Sequence, residues 1–203
     1  MNAIRHFGLL LLMCVAACAK DPAAADGAAK PGGRTGTTSD APAINAPAQP
    51  QDPIGFAGYG SAAFGSNEAL LRAAWAGTLQ GAGDSVAEVT SCHFLIADPR
   101  PAQGRGIAFM FEDRRLVRYD VDTAHYVAPG GIRTGMRVEA VFAAFPGKVQ
   151  EQSDKYLPGA RDLIIVDPAG SNAKLIVDVD ADGIVSSWRI GVPPQVDYVE
   201  GCG

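Results

Sequence analysis

Histidine is scarce in this chain of 203 residues, which has 3, and only His93 and His125 lie beyond the apolar leader. A metal centre would need both of them plus a carboxylate, and their sequence neighbourhoods share nothing. No Gly-x-Ser-x-Gly occurs, and Gly58-Tyr59-Gly60 lacks the preceding strand and the third glycine of a phosphate-binding loop. Nucleophilic and acid–base catalysis are thus without a motif, so the chain is read as no enzyme, with no cofactor, no metal and no catalytic residues. Basic clusters are missing as well. Lys+Arg 17 against Asp+Glu 22 gives a net charge of −5, which argues against the phosphate-neutralising surface that nucleic-acid binding requires. Two partial matches carry no chemistry. Asp178-Val179-Asp180-Ala181-Asp182-Gly183 opens like a calcium loop, but Arg189 stands where a bidentate Glu is needed. Ser171-Asn172-Ala173-Lys174 spells Ser-x-x-Lys in a loop between strands and has no partner motif.

The longest apolar run, Phe7 to Ala17, is about ten residues, against the roughly 20 that a membrane-spanning helix needs. With Arg5 before it and small residues at its end, residues 1–17 read as an export signal. Val15-Ala16-Ala17-Cys18 resembles the lipobox of bacterial lipoproteins, which implies a lipidated Cys18 after processing. Ala19, not Asp, follows that cysteine, which in this class implies delivery to the outer membrane, facing the periplasm, with surface exposure left open. Several acyl chains on one cysteine would anchor stably. The competing reading is an ordinary signal peptide cut after Ala17 or Ala19. Residues 18–52 then form the lipidated cysteine and an Ala/Pro/Gly tether, in which Ile44 is the one large apolar residue. Such a stretch cannot bury enough surface to offset its ordering entropy, and 34 residues of it span on the order of 30 Å.

Beyond the tether, one pattern is written twice. Gly60 falls on Gly130, Gly65 on Gly135, Ala73-Ala74 on Ala143-Ala144, Trp75 on Phe145 and Gly77 on Gly147 without a gap. Val138, Val141, Phe142 and Phe145 fall on one helical face and stop at Pro146-Gly147. The earlier counterpart has Leu70, Leu71, Ala74 and Trp75, with Ser66 or Asn67 as cap. Strands are expected at 92–96, 106–112 and 116–121, and again at 162–166, 174–180 and 184–190, with Asp182-Gly183 as a hairpin turn. Ile107/Phe109/Phe111 and Leu175/Val177/Val179 mark the faces turned towards the helices. The expected fold class is α+β: two tandem copies of a helix packed on an antiparallel three- to four-stranded meander, forming one continuous or two adjacent sheets. The expected boundaries are 53–125 for repeat 1 and 126–203 for repeat 2 with its tail.

The phrase Gly130-Gly131-Ile132-Arg133-Thr134-Gly135-Met136, followed by a short helix and a meander, resembles the helix-plus-sheet unit of outer-membrane-assembly lipoproteins of the SmpA/OmlA type. In tandem, over residues 54–191, it resembles the β-lactamase-inhibitor-protein type, in which two such units form a concave sheet that grips an enzyme. The first copy departs from the pattern with Ser66 in place of the Met, and each copy shows one helix where those families have two. The resemblance concerns architecture and names no partner.

Setting aside Cys14 in the signal and the lipidated Cys18 leaves Cys92 and Cys202, expected to pair in an exported chain, with two free thiols as the alternative. The sheet face away from the helices is the expected binding surface, with Met110, Arg118, Tyr119, Asp178, Trp188 and Arg189 as candidates. The opposing reading puts Tyr119 and Trp188 in the core. The function expected is a non-enzymatic, monomeric binding module at the outer membrane, protein-binding or inhibitory. Its alternatives are a structural envelope-assembly role and carbohydrate or peptidoglycan binding. Its partner is an envelope protein or cell-wall ligand, and its membrane contact is the lipid anchor.

Overall fold

Alternating apolar residues dominate the architecture. A computed structural model describes residues 53–81 and 92–202; Cys18, the leader and the tether lie outside the described residues. Three two-residue strands, β1 (Ile54–Gly55), β2 (Gly58–Tyr59) and β3 (Ala62–Ala63), form a small antiparallel sheet. Then come α1 (Glu68–Ala74), β4 (Thr78–Gly81), β5 (Cys92–Asp98), β6 (Ile107–Glu112) and β7 (Arg115–Val121). The second part has α2 (Glu139–Ala144), β8 (Gln150–Ser153), β9 (Arg161–Val166), β10 (Lys174–Val179) and β11 (Val185–Gly191). All eight longer strands join one antiparallel sheet in the order β4-β5-β6-β7-β11-β10-β9-β8.

This overturns the expected fold class. The protein is mostly β, with an eight-stranded and a three-stranded sheet, and not two helix-plus-meander repeats. The helices reach only 7 and 6 residues, too short to stand without tertiary packing. Asn67 caps α1, its side chain accepting from Leu70 N–H at 3.0 Å, but each helix buries a single residue, Leu71 and Val141 respectively. Leu70 and Phe142, expected on the packed faces, are 52% and 37% exposed. Sheet, not helix, takes up the chain on either side: β4 and β8 add an edge strand each, and neither carries the apolar alternation that marks a strand. The expected strand segments do appear as β5, β6, β7, β9, β10 and β11, and the backbone of Gly183 turns at φ 79°.

The main core lies on the sheet face that meets the helices and the small sheet, and includes Leu95, Ile107, Phe109, Phe111, Leu163, Ile165, Leu175 and Val177. A second, smaller apolar cluster sits on the opposite face: Phe94, Ile96, Ala108, Met110 and Val117. Gly191 lets the central strands close up beside that cluster, since a Cβ there would stand 2.6 Å from Val117 O and 2.8 Å from Arg118 Cβ. Cys92 and Cys202 are joined in a disulfide with Cα atoms 5.4 Å apart. No helix among the described residues is long and apolar enough to cross a membrane.

Candidate functional site

Strand geometry splits the six candidate residues between two faces. Successive side chains in a strand point to opposite sides, so Arg118 cannot share a surface with Tyr119, nor Trp188 with Arg189. Tyr119 and Trp188 face the helix side and are fully buried, their rings edge to face at 6.3 Å. The Tyr119 hydroxyl donates to Gly55 O at 2.9 Å and accepts from Gly55 N–H at 3.1 Å, which fastens the small sheet to the core. Trp188 Nε1 has no hydrogen-bond partner among the described residues, and a sugar platform on an exposed Trp188 is therefore not available. Met110, Arg118 and Arg189 do lie on the opposite face, yet all three are buried. Only Asp178 is half-exposed. The open face expected from these six residues is thus corrected.

The C-terminal strap covers it. Leaving β11, residues 192–202 cross the far face through a 3-10 turn at Gln195–Asp197 and end at the Cys92–Cys202 bridge. Val196 is fully buried, while Val192, Tyr198, Cys92 and Cys202 pack against the Phe94–Met110 cluster. Arg118 Nη1 donates to Gln195 O at 3.2 Å and Tyr198 O at 2.6 Å; Arg189 Nε donates to Val196 O at 3.0 Å. Lys174 Nζ holds Asp197 at 2.8 Å, and the Gln195 amide meets Glu112. Both arginines are neutralised from beneath: Arg118 forks onto Asp120 at 2.5–3.1 Å, and Arg189 Nη1 bonds Asp178 Oδ1 at 2.6 Å.

Beyond the strap the same face turns acidic. Gln152, Asp162, Asp178 and Ser187 stand in one cross-strand row over β8, β9, β10 and β11. The Ser187 hydroxyl donates to Asp178, and Arg189 Nη2 reaches Asp162 at 3.5 Å. Burial, and then the charge of Asp178, push the Asp162 carboxyl up to about 6 against the pull of Arg189. Asp162 can therefore hold a proton near pH 6. Sequence reading missed Asp162, Asp120 and Val196, although the 162/164 and 176/178 alternation was a usable signal.

The loop between β8 and β9 closes onto the strap: Tyr156 OH donates to Glu200 Oε1 at 2.5 Å. Asp154 shapes the loop by accepting from the N–H groups of Tyr156 and Leu157 at 2.7 and 2.6 Å, which hold its carboxyl below the usual range. Where loop and strap meet, Tyr156, Leu157 and Val199 are 52%, 62% and 48% exposed. At the hairpin whose sequence opens like a calcium loop, Asp180 Oδ1 instead accepts from Asp182 and Ile184 N–H. Among the described residues no cluster of three or more His, Cys, Asp or Glu is arranged to hold a metal.

No family model and no curated protein matches the chain. Among solved structures, an extracellular protein containing a SCP domain from Bacillus anthracis str. Ames is similar at a TM-score of 0.42 and 11% identity, over 64% of this chain and 44% of that one. The chain spans less than half of that protein, and a likeness so distant fixes neither family nor function.

Proposed function

We propose that the chain is a non-catalytic protein-binding module, tethered to the bacterial outer membrane through a lipid on Cys18 and facing the periplasm. The observation that carries the binding surface is the junction of the 154–160 loop with the strap. There the exposed Tyr156 and Leu157 on one segment and Val199 on the other lie next to the Tyr156–Glu200 hydrogen bond that joins the two segments. Exposed apolar residues gathered this way mark interaction sites more often than scattered ones do. Tyr supplies contact area at low entropic cost, with Lys155 Nζ 4.8 Å over its ring. A disulfide-closed sheet suits an oxidising compartment, and Val15-Ala16-Ala17-Cys18 supports the anchor. The partner is an envelope protein with a complementary apolar patch.

A photo-crosslinking residue placed at Leu157 in intact cells is expected to give an adduct of discrete mass that disappears with Val199→Asp. Adducts from Leu70 or Phe142 with none from Leu157 would move the site to the helix side and contradict the assignment. Cys18→Ser is expected to shift the protein from the membrane to the soluble fraction. Unchanged fractionation and processing would contradict the anchor.

A further inference from the structure

The strap has the features of a bound peptide more than those of a core element. Within residues 192–202 Val196 alone is fully buried, whereas Pro194, Asp197, Val199 and Glu200 are exposed. The surface it covers has an apolar centre: Phe94 pairs across to Met110 and Ile96 to Ala108, with Val117 beside them. Its polar attachments are of a kind that reads backbone, because Arg118 and Arg189 take the main-chain carbonyls of Gln195, Val196 and Tyr198. Side-chain selectivity enters at alternate positions. Tyr198 packs on the covered cluster and Val196 is fully buried beside Arg189, while Asp197 between them meets Lys174. Main-chain contacts for affinity and a few inserted side chains for selection are the general division of labour in peptide recognition; here the segment is a 3-10 turn laid across the face, not an added strand.

We propose that the sheet face beneath the strap is a docking groove for a peptide segment of the pattern aliphatic–acidic–aromatic, and that residues 195–202 are its resident occupant. The Cys92–Cys202 bridge is the latch. While it is closed, the strap is tethered at both ends, at Gly191 and at Cys202, so a competing segment faces an occupant at high effective concentration. Opening is a thiol–disulfide exchange with a dithiol reductant. One thiolate of the reductant attacks a sulfur of the bridge, the Cys92–Cys202 bond breaks and a mixed disulfide forms. The second thiol then displaces it, which leaves two thiols on this chain and a disulfide on the reductant. Val199 and Glu200 of the exposed junction belong to the strap, so opening the latch takes that junction apart; the groove lies beneath the strap, and its assignment does not rest on the function proposed for the junction.

The test uses the full chain with a protease recognition sequence inserted between Gly191 and Val192, cut only after the oxidised protein has folded. The cut strap then stays attached through its bridge until a dithiol is added. On reduction and dilution the strap is expected to leave while the remaining sheet keeps its far-ultraviolet circular dichroism signal. A fluorescent synthetic peptide of residues 192–202, with serine in place of Cys202, should then rebind saturably by anisotropy. Its Tyr198→Ala form should bind at least tenfold more weakly. Collapse of the sheet when the strap leaves would show a structural element, not an occupant, and overturn the proposal. So would a persistent sheet that does not take the peptide back, or one that takes both peptides equally. The uncut, oxidised chain should bind neither peptide, and binding there would refute the latch. An intact Leu157 crosslink in cells alongside a failed rebinding experiment would leave the proposed binding function standing and remove only the groove.

Discussion

The two halves of the sheet's far face share one antiparallel pairing scheme and are closed by opposite means. Over β5, β6 and β7 the outward positions include the apolar Phe94, Ile96, Ala108, Met110 and Val117, flanked by the Arg118–Asp120 pair, and a covalently latched strap lies on them. Over β9, β10 and β11 the corresponding positions include Asp162, Asp178, Ser187 and Arg189, whose charges compensate one another. Apolar surface in water has to be covered, since burial is worth roughly 25 cal/mol per Å². Buried charges need partners, not a lid. The seam lies at β7 and β11, where Arg118 and Arg189 serve both halves by holding carboxylates within the sheet and strap carbonyls above it.

The largest effect is expected at the latch. Cys202→Ser removes a cross-link over a sequence separation of 110, which on loop-entropy grounds costs up to about 4–5 kcal/mol, read as a lower urea midpoint with a steeper slope as the unfolded chain expands. Met110→Ala opens a cavity under the strap and is expected to cost about 3 kcal/mol in the same experiment. Arg189→Met should cost about 2–3 kcal/mol at neutral pH because it strands Asp162 and Asp178, a figure reduced from that of a fully buried pair by their partial exposure. A neutral or stabilising Arg189→Met would show that the charged half is dispensable.

Asp162 sharpens the contrast through pH. Its folded carboxyl titrates near 6, above the ordinary 3.8, so the folded state holds this proton more tightly than the unfolded chain does. Its contribution to stability is therefore fully present below about pH 4 and is lost as pH rises through about 6. Urea midpoints between pH 4 and 7 should show this decline, and Asp162→Asn should flatten it. A variant with an unchanged slope would contradict the raised Asp162 carboxyl. The smallest effect belongs to the exposed junction: Val199→Asp should change stability by less than about 0.5 kcal/mol and abolish the crosslink from position 157 to the partner.

Legibility in the sequence followed the strength of each local pattern. Ile107/Phe109/Phe111 and Leu175/Val177/Val179 alternate cleanly and form strands with buried faces. Counting the cysteines beyond Cys14 and Cys18 was enough to expect Cys92 paired with Cys202. Gln150-Glu151-Gln152-Ser153 holds no apolar residue, so nothing in its composition announces an edge strand. The two helical runs carried the right period but too few residues before Pro146 and Gly77, and their exposed Leu70 and Phe142 show how little of each face the sheet required. The candidate binding face failed for a reason already present in the strand period, since adjacent residues such as Arg118 and Tyr119 must diverge. Coverage by the strap had no local signal, because it arises from Tyr198 meeting residues about 80 to 100 positions earlier in the chain, as in the Arg118 contact to Tyr198 at a separation of 80.

The most direct measurement is amide hydrogen exchange on the full chain, oxidised and then reduced with a dithiol at constant pH. If the apolar half is closed by a latched strap and the charged half closes itself, reduction should accelerate exchange in residues 195–202, with a smaller increase in β5 and β6 beneath them. Strands β9 and β10 should be unchanged. Uniform acceleration across all eight strands, or none in the strap, would contradict it.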